Sequence, residues 1–470
     1  MFIVIEKFLK YLPIILNELI AVMFLILFYQ YIKNKIKKNF QKIIKFIFFL
    51  ILIQQIFYKN IFQIIDQGFF ESWQTDSEAL VIGNINNIRI GNESNWGLGT
   101  NNASDVNTYK IFNDNKINDF QFVEYKSSYG LQGRIFKYLY KQIPNINLFH
   151  QITAFFMSLT VISLFHLMSK VFDKKFSYLF IITLTTSYWI VAASKNLFWQ
   201  SFLWFLPSVF SFLLYLSKSK LKNFFFLFCI FISVFLKSLC GYEFLSTITL
   251  FAISPFILGP YFKSETSIKY NYIIYIFAAC ILGFLCAILI HSYHLESKNI
   301  FEGINILIKD VIMRRTYAIN SSDYGLLKES LDSTITSVIF KYINQWTTPI
   351  ILRLPWSPDG PVAYEKISSM SFKLMIAISF FGIFQKFILK IITWKRDLML
   401  FTVYFLVCIS WFIFGKGHSY IHTHINFVNW YFGFIATIIY LSLETIYNNF
   451  LFIKLFFFNI KKNYYCKFIK

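Results

Sequence analysis

The sequence predicts an all-α, polytopic transmembrane protein of about eleven spans, and three observations predict it. Hydrophobic residues make up 56% of the 470 residues and charged residues 15%, with a mean hydropathy of +0.54, outside the range of ordinary soluble domains. The apolar residues run in stretches of roughly 17 to 25, the length that crosses a hydrocarbon layer. Lysines cluster in the short segments between alternate runs, as the positive-inside rule requires. The formal net charge of +21 therefore reads as membrane topology, and nucleic acid is excluded as a partner.

Taken in order, the first apolar run covers 12–32. It lacks a small-residue cleavage site and many spans follow it, so it reads as a retained segment. Five lysines within 33–42 place that segment in the cytoplasm, and 43–58 crosses to the opposite face. This orientation leaves the N-terminus external or makes the first run a surface helix. Residues 1–58 thus form the N-terminal transmembrane segments.

The stretch 59–145 is polar and rich in asparagine. Between 66 and 126 it carries nine acids (Asp66, Glu71, Asp76, Glu78, Glu93, Asp105, Asp114, Asp119, Glu124) against four bases (Arg89, Lys110, Lys116, Lys126), opposite in sign to the whole chain. That imbalance predicts an external loop. Its length exceeds that of a connector; its two ends read as helices against the membrane, and its Gly/Asn-rich middle, 91–119, has the composition of a mobile segment.

A serpentine of spans follows as the bundle 146–293. Runs 149–168, 176–193, 198–216, 224–239, 245–262 and 272–291 alternate in direction, with inner turns marked by Lys170, Lys174 and Lys175, by Lys218, Lys220 and Lys222, and by Lys263 and Lys269. The outer turn after 239 holds Lys237, Tyr242 and Glu243. A second external loop, 294–370, contains an amphipathic stretch ending in Arg314 and Arg315 and a Pro/Trp-rich stretch with Trp346 and Trp356. The C-terminal transmembrane helices, 371–447, comprise runs 372–389, 398–414 and 428–443, and 448–470 forms a basic cytoplasmic tail. Six cysteines stand singly, without metal-ligand spacing, and read as packing residues.

The polar features collect on the outer side, while the spans are nearly free of charge. A transporter would bury ionisable groups in mid-membrane within broken helices. An enzyme at the external surface fits the distribution better. Its leading carboxylates lie in Glu71-Ser72-Trp73-Gln74-Thr75-Asp76-Ser77-Glu78, where Asp76 or Ser77 reads as the N-cap of a helix over Ala79 to Ile82. A carboxylate so placed can act as a base.

This arrangement resembles the GT-C class of integral-membrane glycosyltransferases, the superfamily of protein O-mannosyltransferases and aminoarabinose transferases. An acidic motif, Asp76-Ser77-Glu78, opens a long external loop after an early span, similar to the Asp-Glu type motif of those families. The segment Ser127-Ser128-Tyr129-Gly130-Leu131-Gln132-Gly133-Arg134 stands just before the next span, where they often carry a His/Lys-Pro-Pro-Leu motif; this chain has no proline there. A large later loop and a polar turn before the last span also match.

The resemblance implies a sugar donor carried on a polyprenyl phosphate, embedded in the bilayer of a bacterial inner membrane, and a glycan, lipid or protein acceptor on the periplasmic side. Asp76 is then the base that takes the acceptor's proton, with Glu78 as helper. The leaving phosphate needs cations and hydrogen-bond donors. Arginine suits this best because its planar fork binds phosphate oxygens in pairs, so Arg314 and Arg315 lead, followed by Lys416, His418 and His422. Arg134, Lys237, Tyr242, Glu243 and His424 are placed around the acceptor or behind the first contacts, with Arg353 as a further cation.

Each assignment has a plainer reading beside it. Asp76 and Glu78 also suit a helix cap and its first turn, the arginine pair an interfacial anchor, and Lys237 with Glu243 a local ion pair. His418 and His422 have the spacing of zinc ligands, but the glutamate that accompanies the first histidine in zinc hydrolases is missing, so no resident metal or other cofactor is assigned. Two other functions stay open: an O-antigen polymerase or ligase acting on lipid diphosphates, and a transporter or flippase.

Overall fold

The computed structural model describes residues 38–63, 65–92, 94–114, 121–263, 269–317, 328–344 and 361–468. The expected span 12–32 and the stretch with Trp346, Arg353 and Trp356 lie outside them. Helix α1 (Lys38–Lys59) rises from the lysine-rich segment and stops at Asn60, whose side-chain amide donates to the Ile65 carbonyl at 2.8 Å.

The acidic loop is mostly ordered structure. Helix α2 (Gln67–Ser72) begins where the Asp66 carboxylate accepts from the Phe69 N–H at 3.1 Å, an ordinary N-cap. Helix α3 (Thr75–Arg89), strand β1 (Gly99–Asn101), helix α4 (Asp105–Asp114), strand β2 (Phe122–Glu124) and helix α5 (Leu131–Gln142) follow. The strands pair antiparallel with Thr100 opposite Val123. Against the expectation of a mobile middle, 99–114 hold β1 and α4. The reason lies in α3: buried Asn86 donates to Asn101 Oδ1 at 2.8 Å and to the Thr108 carbonyl at 3.0 Å. Buried Asn84 donates to the Gly97 carbonyl at 2.7 Å. A Cβ on Gly133 would sit 1.8 Å from that same carbonyl oxygen, so only glycine lets α5 pack there.

The bundle continues with α6 (Ile146–Val171), α7 (Lys174–Thr185), α8 (Tyr188–Ala193), α9 (Phe202–Leu216), α10 (Lys220–Cys240), α11 (Leu245–Lys263) and α12 (Tyr270–Leu295). Helix α13 (Ile300–Leu307) runs into a π-helical turn, Ile308–Met313. Then come α14 (Lys328–Asp332), α15 (Ile335–Asn344), α16 (Pro361–Ile388), α17 (Trp394–Phe414), α18 (Lys416–Ile421), α19 (Thr423–Asn426), a 3-10 turn Phe427–Tyr431 and α20 (Phe434–Phe468). Five of these, α6, α10, α11, α12 and α17, are long and apolar enough to cross a membrane, which marks the chain as an integral membrane protein.

Three expected spans differ from the helices found. Run 176–193 is two short helices, because the Ser187 hydroxyl accepts from the Ile190 N–H at 3.1 Å and starts α8 afresh. Run 198–216 is helical only from Phe202. Run 428–443 opens as the 3-10 turn, and α20 starts after Gly433, whose φ is +100° and whose Cβ would collide with the Tyr404 ring; it then continues through most of the expected tail.

Aromatic side chains fill the interior, as in the stacked pair Phe205 and Phe432, 4.6 Å apart. Pro255 inside α11 cannot donate to the Phe251 carbonyl, and the Ser254 hydroxyl does so at 2.8 Å. One end of the bundle gathers the lysine turns, where Tyr440 meets Asp173, Arg396 lies over Phe262, and Lys263 and Lys269 lie over Tyr215. The acidic loop and the segment after α12 meet at the other end.

Candidate functional site

At that other end, α10 finishes with Lys237 in its last turn and the chain turns through Gly241, Tyr242 and Glu243 into α11. Lys237 and Glu243 are buried, at 2% and 5% exposure. A charge so placed needs a partner. Lys237 Nζ donates to the Gly241 carbonyl at 2.7 Å and lies 3.9 Å from Glu243 Oε2. The other carboxylate oxygen lies 3.5 Å from Arg315 Nη2.

Arg315 reaches this place because the π turn Ile308–Met313 brings Arg314 and Arg315 together against the segment between β2 and α5. Arg314 donates to the Ser127 hydroxyl at 3.1 Å, and Arg315 to the Ser127 carbonyl at 3.3 Å and the Tyr125 hydroxyl at 3.4 Å. Both guanidinium groups are thus held by one residue of the acidic loop. Burial pushes the Glu243 carboxyl upward, but Arg315 and then Lys237 outweigh it and hold the group below its ordinary value. Burial likewise disfavours the Arg315 charge, but Glu243, together with Tyr125 and Tyr242, leaves its pKa above the ordinary value.

His418 in α18 borders the same cluster, with its ring 4.7 Å from His422 and 5.9 Å from Trp411. Burial, reinforced by the neighbouring His422, pushes it down to about 3, so the imidazole is neutral. Its tautomer follows from its neighbours. The Trp411 indole N–H donates to Asn426 Oδ1 at 2.8 Å, which turns the Asn426 amide nitrogen toward His418 Nδ1 at 3.3 Å. Nδ1 accepts, and Nε2 carries the proton. The Tyr242 hydroxyl and His291 Nδ1 share a 2.8 Å hydrogen bond, and burial raises the Tyr242 phenol.

Beside this polar cluster lies a cavity of about 550 Å³ between α10, α11, α12, the π turn and α17. Its walls are apolar apart from Arg315, Tyr242 and a few hydroxyls and sulfur atoms. Three lining side chains, Phe277, Ile281 and Phe414, are also exposed on the outer surface of the bundle, at 48%, 39% and 62%. The arrangement can take a long apolar chain with an anionic group at the Arg315 end.

The acidic motif forms a second polar cluster. Helix α3 starts two residues earlier than the expected Asp76 or Ser77 cap. Gln74 takes the cap position in a left-handed conformation, φ 55°, held because buried Asn196 donates to the Trp73 and Gln74 carbonyls at 3.4 and 3.3 Å. A tertiary contact overrides the local cap. Asp76 is exposed in the first turn, where the helix dipole favours it, and Glu78 is half-buried against His150, with Oε1 2.5 Å from Nε2. Lys195 packs over the Phe70 ring at 3.9 Å; burial lowers its ammonium pKa against the pull of Glu78 and Glu71.

Comparison with protein-family models, with curated proteins and with solved structures returned no match. The site therefore rests on its own geometry.

Of the residues expected around a phosphate or an acceptor, the structure brings together Arg314, Arg315, Lys237, Tyr242, Glu243 and His418. The His422 ring lies tilted against that of His418. Lys416 is near them but occupied: its ammonium donates to the Leu331 and Ser333 carbonyls. Arg134 lies toward α12, donating to His294 Nε2 at 2.8 Å over the Tyr129 ring. The side chain of His424 lies outside the described residues. Asp76 and Glu78 stand apart, joined to the basic cluster by a row of ring contacts from Trp73 through Trp199 and Phe244 to Trp411, each 5.6 to 6.3 Å. Among the described residues no group of three histidine, cysteine or acidic side chains is arranged to hold a metal ion. His150, Lys195, Asn196, His291 and Trp411 were not anticipated; each sits at the end of an apolar run, where composition gives no signal of a partner.

Proposed function

We propose that the chain is a membrane glycosyltransferase of the GT-C type, moving a sugar from a polyprenyl-phosphate donor to an acceptor at the external face of the membrane. The observation that carries this reading is the half-buried Arg315 at the end of an apolar cavity that lies between membrane-spanning helices. An amphiphile with one anionic group fits such a site, and a polyprenyl phosphate is that kind of molecule. In this reading the lysine-rich turns face the cytoplasm, which puts the cavity's polar end on the opposite side.

In this reading the prenyl chain lies along the cavity and its phosphate meets Arg315 and Arg314. The Asp76 carboxylate, with Glu78 held beside it by His150, takes the proton of the acceptor hydroxyl; because the row of rings from Trp73 to Trp411 separates it from the arginines, the sugar and the acceptor have to bridge that distance. The acceptor oxygen bonds to the anomeric carbon as the bond from that carbon to the phosphate oxygen breaks, and the electron pair leaves on the phosphate. The arginines offset the charge that grows there. His418, with its Nε2–H, and Tyr242 supply neutral donors next to the same charge.

The test uses protein reconstituted in lipid nanodiscs with prenyl-phosphate sugars. Arg315→Ala should lose donor binding by about tenfold or more. Asp76→Asn should leave binding intact and reduce transfer by about 100-fold or more. Wild-type affinity in Arg315→Ala, or wild-type turnover in Asp76→Asn, overturns the corresponding assignment.

A further inference from the structure

We propose that the start of α10, at the lysine end of the bundle, is a binding site for an anionic phospholipid of the surrounding bilayer. The length of α10, about 30 Å, separates this place from the arginine cluster, and it has no part in the transfer reaction.

Leu221, Phe224, Phe225 and Phe228 follow one another at intervals of three and four residues or one, so they form a single stripe of the helix. All four are exposed, at 79%, 72%, 56% and 52%. A depression of about 430 Å³ lies among them, with Lys222 in its wall. Further along the helix the rings continue as stacked pairs, Phe228 on Phe231 and Phe231 on Phe235, each 6.1 Å between centroids. Helix α10 is long and apolar enough to cross a membrane, so its first turn lies near headgroup depth, and Phe228, six residues beyond Lys222, lies about 9 Å deeper. An acyl chain can follow this track with its phosphate beside Lys222. Charge decides which lipid gains most. Lys218, Lys220 and Lys222 border the stripe, and Asn223 donates to the Tyr272 hydroxyl at 2.8 Å, which holds the start of α12 against the start of α10. Lys263 and Lys269, on either side of the turn between α11 and α12, both lie over the Tyr215 ring at 5.9 and 5.6 Å. Between 218 and 272 the acids are Glu243, at the far end of α10, and Glu265, outside the described residues. Among the described residues no ion pair holds any of these five lysines. The turn between α16 and α17 at the same end is built differently, since its Lys386 and Arg396 meet Asp397 and Glu444. Unmatched lysines beside an apolar track fit an anion that brings its own apolar chain, and each basic side chain at the membrane surface raises the affinity for an anionic headgroup. A zwitterionic lipid meets the same rings with little gain from the lysines, and a soluble phosphate meets the lysines without the rings.

The experiment measures lipid retention on the full-length protein in detergent by native mass spectrometry, with phosphatidylglycerol and phosphatidylcholine of equal chain length as probes. Wild type should favour phosphatidylglycerol by about tenfold or more. Lys218→Gln, Lys220→Gln and Lys222→Gln together should bring the two lipids to parity. Lys390→Gln with Lys395→Gln, which removes two exposed lysines at the turn between α16 and α17, should leave the preference intact. Phe224→Ala with Phe228→Ala should weaken both lipids alike. All these side chains are exposed, so each variant keeps its fold. Equal retention of the two lipids by wild type, an unchanged preference in the triple lysine variant, or the same loss in the Lys390 and Lys395 variant overturns the proposal. Displacement of phosphatidylglycerol by an equal concentration of glycerol 3-phosphate overturns it as well, because the site would then be one for a free phosphate ester.

Discussion

His418 shows how one buried side chain ties the site to the stability of the protein. Its proton-binding constant is held near 3 by burial, against an ordinary 6.5. As pH falls, the unfolded chain takes up this proton and the folded one does not. The contribution to stability is therefore complete above about 6.5 and is lost as pH falls toward 3. Glu243, depressed from 4.5, acts with the same sign but at lower pH, so the window between about 5 and 6.5 belongs mainly to the imidazole. Thermal midpoints at about pH 7.5 and about pH 5 should fall more for the wild-type protein than for His418→Gln; equal slopes would mean that the ring is hydrated and titrates normally. The same residue marks a limit of sequence reading. The spacing of His418 and His422 is visible in the chain, but the Trp411 and Asn426 contacts that fix its tautomer come from two other helices, α17 and α19. Lys237, Tyr242 and Glu243 were legible as a polar turn, and Arg314 and Arg315 as the end of an amphipathic stretch. That Glu243 and Arg315 meet depends on a π turn, which has no composition of its own.

At the scale of helices, the lysine end is fastened by a box of four charges. Lys386 of α16 lies 2.6 Å from Asp397 and 2.9 Å from Glu444; Arg396 of α17 lies 2.7 Å from Asp397 and 3.5 Å from Glu444 of α20. Asp397 is fully buried. Removing one member leaves the others uncompensated, so Asp397→Asn should destabilise the protein by about 3 kcal/mol, while exchanging Lys386 and Asp397 together for methionine and leucine should cost less. Unfolding in detergent reads both, and similar losses for the single and the double change would mean that packing, not charge, holds these helices. Sequence reading found the turn between α16 and α17 from its lysines but regarded the spans as nearly uncharged, because Lys386 and Glu444 sit at the ends of apolar runs. It also merged α7 and α8 into one span. Two short buried helices have the same apolar composition as one long crossing, and only the Ser187 cap separates them.

For the molecule as a whole, composition and the placement of lysines were enough to recognise a helical membrane protein, though not the charged box that closes its lysine end. They were not enough to order the first loop, whose shape depends on buried asparagines of α3, nor to count crossings, since among the described residues length and apolar composition together qualify five helices. The cavity adds something that neither end of the molecule supplies. Because Phe277, Ile281 and Phe414 belong both to its wall and to the outer surface of the bundle, the way in lies through the side of the protein. An apolar ligand taking that way is drawn from a two-dimensional solution, so its mole fraction among the surrounding lipids, and not its concentration in the buffer, governs occupancy of the cavity.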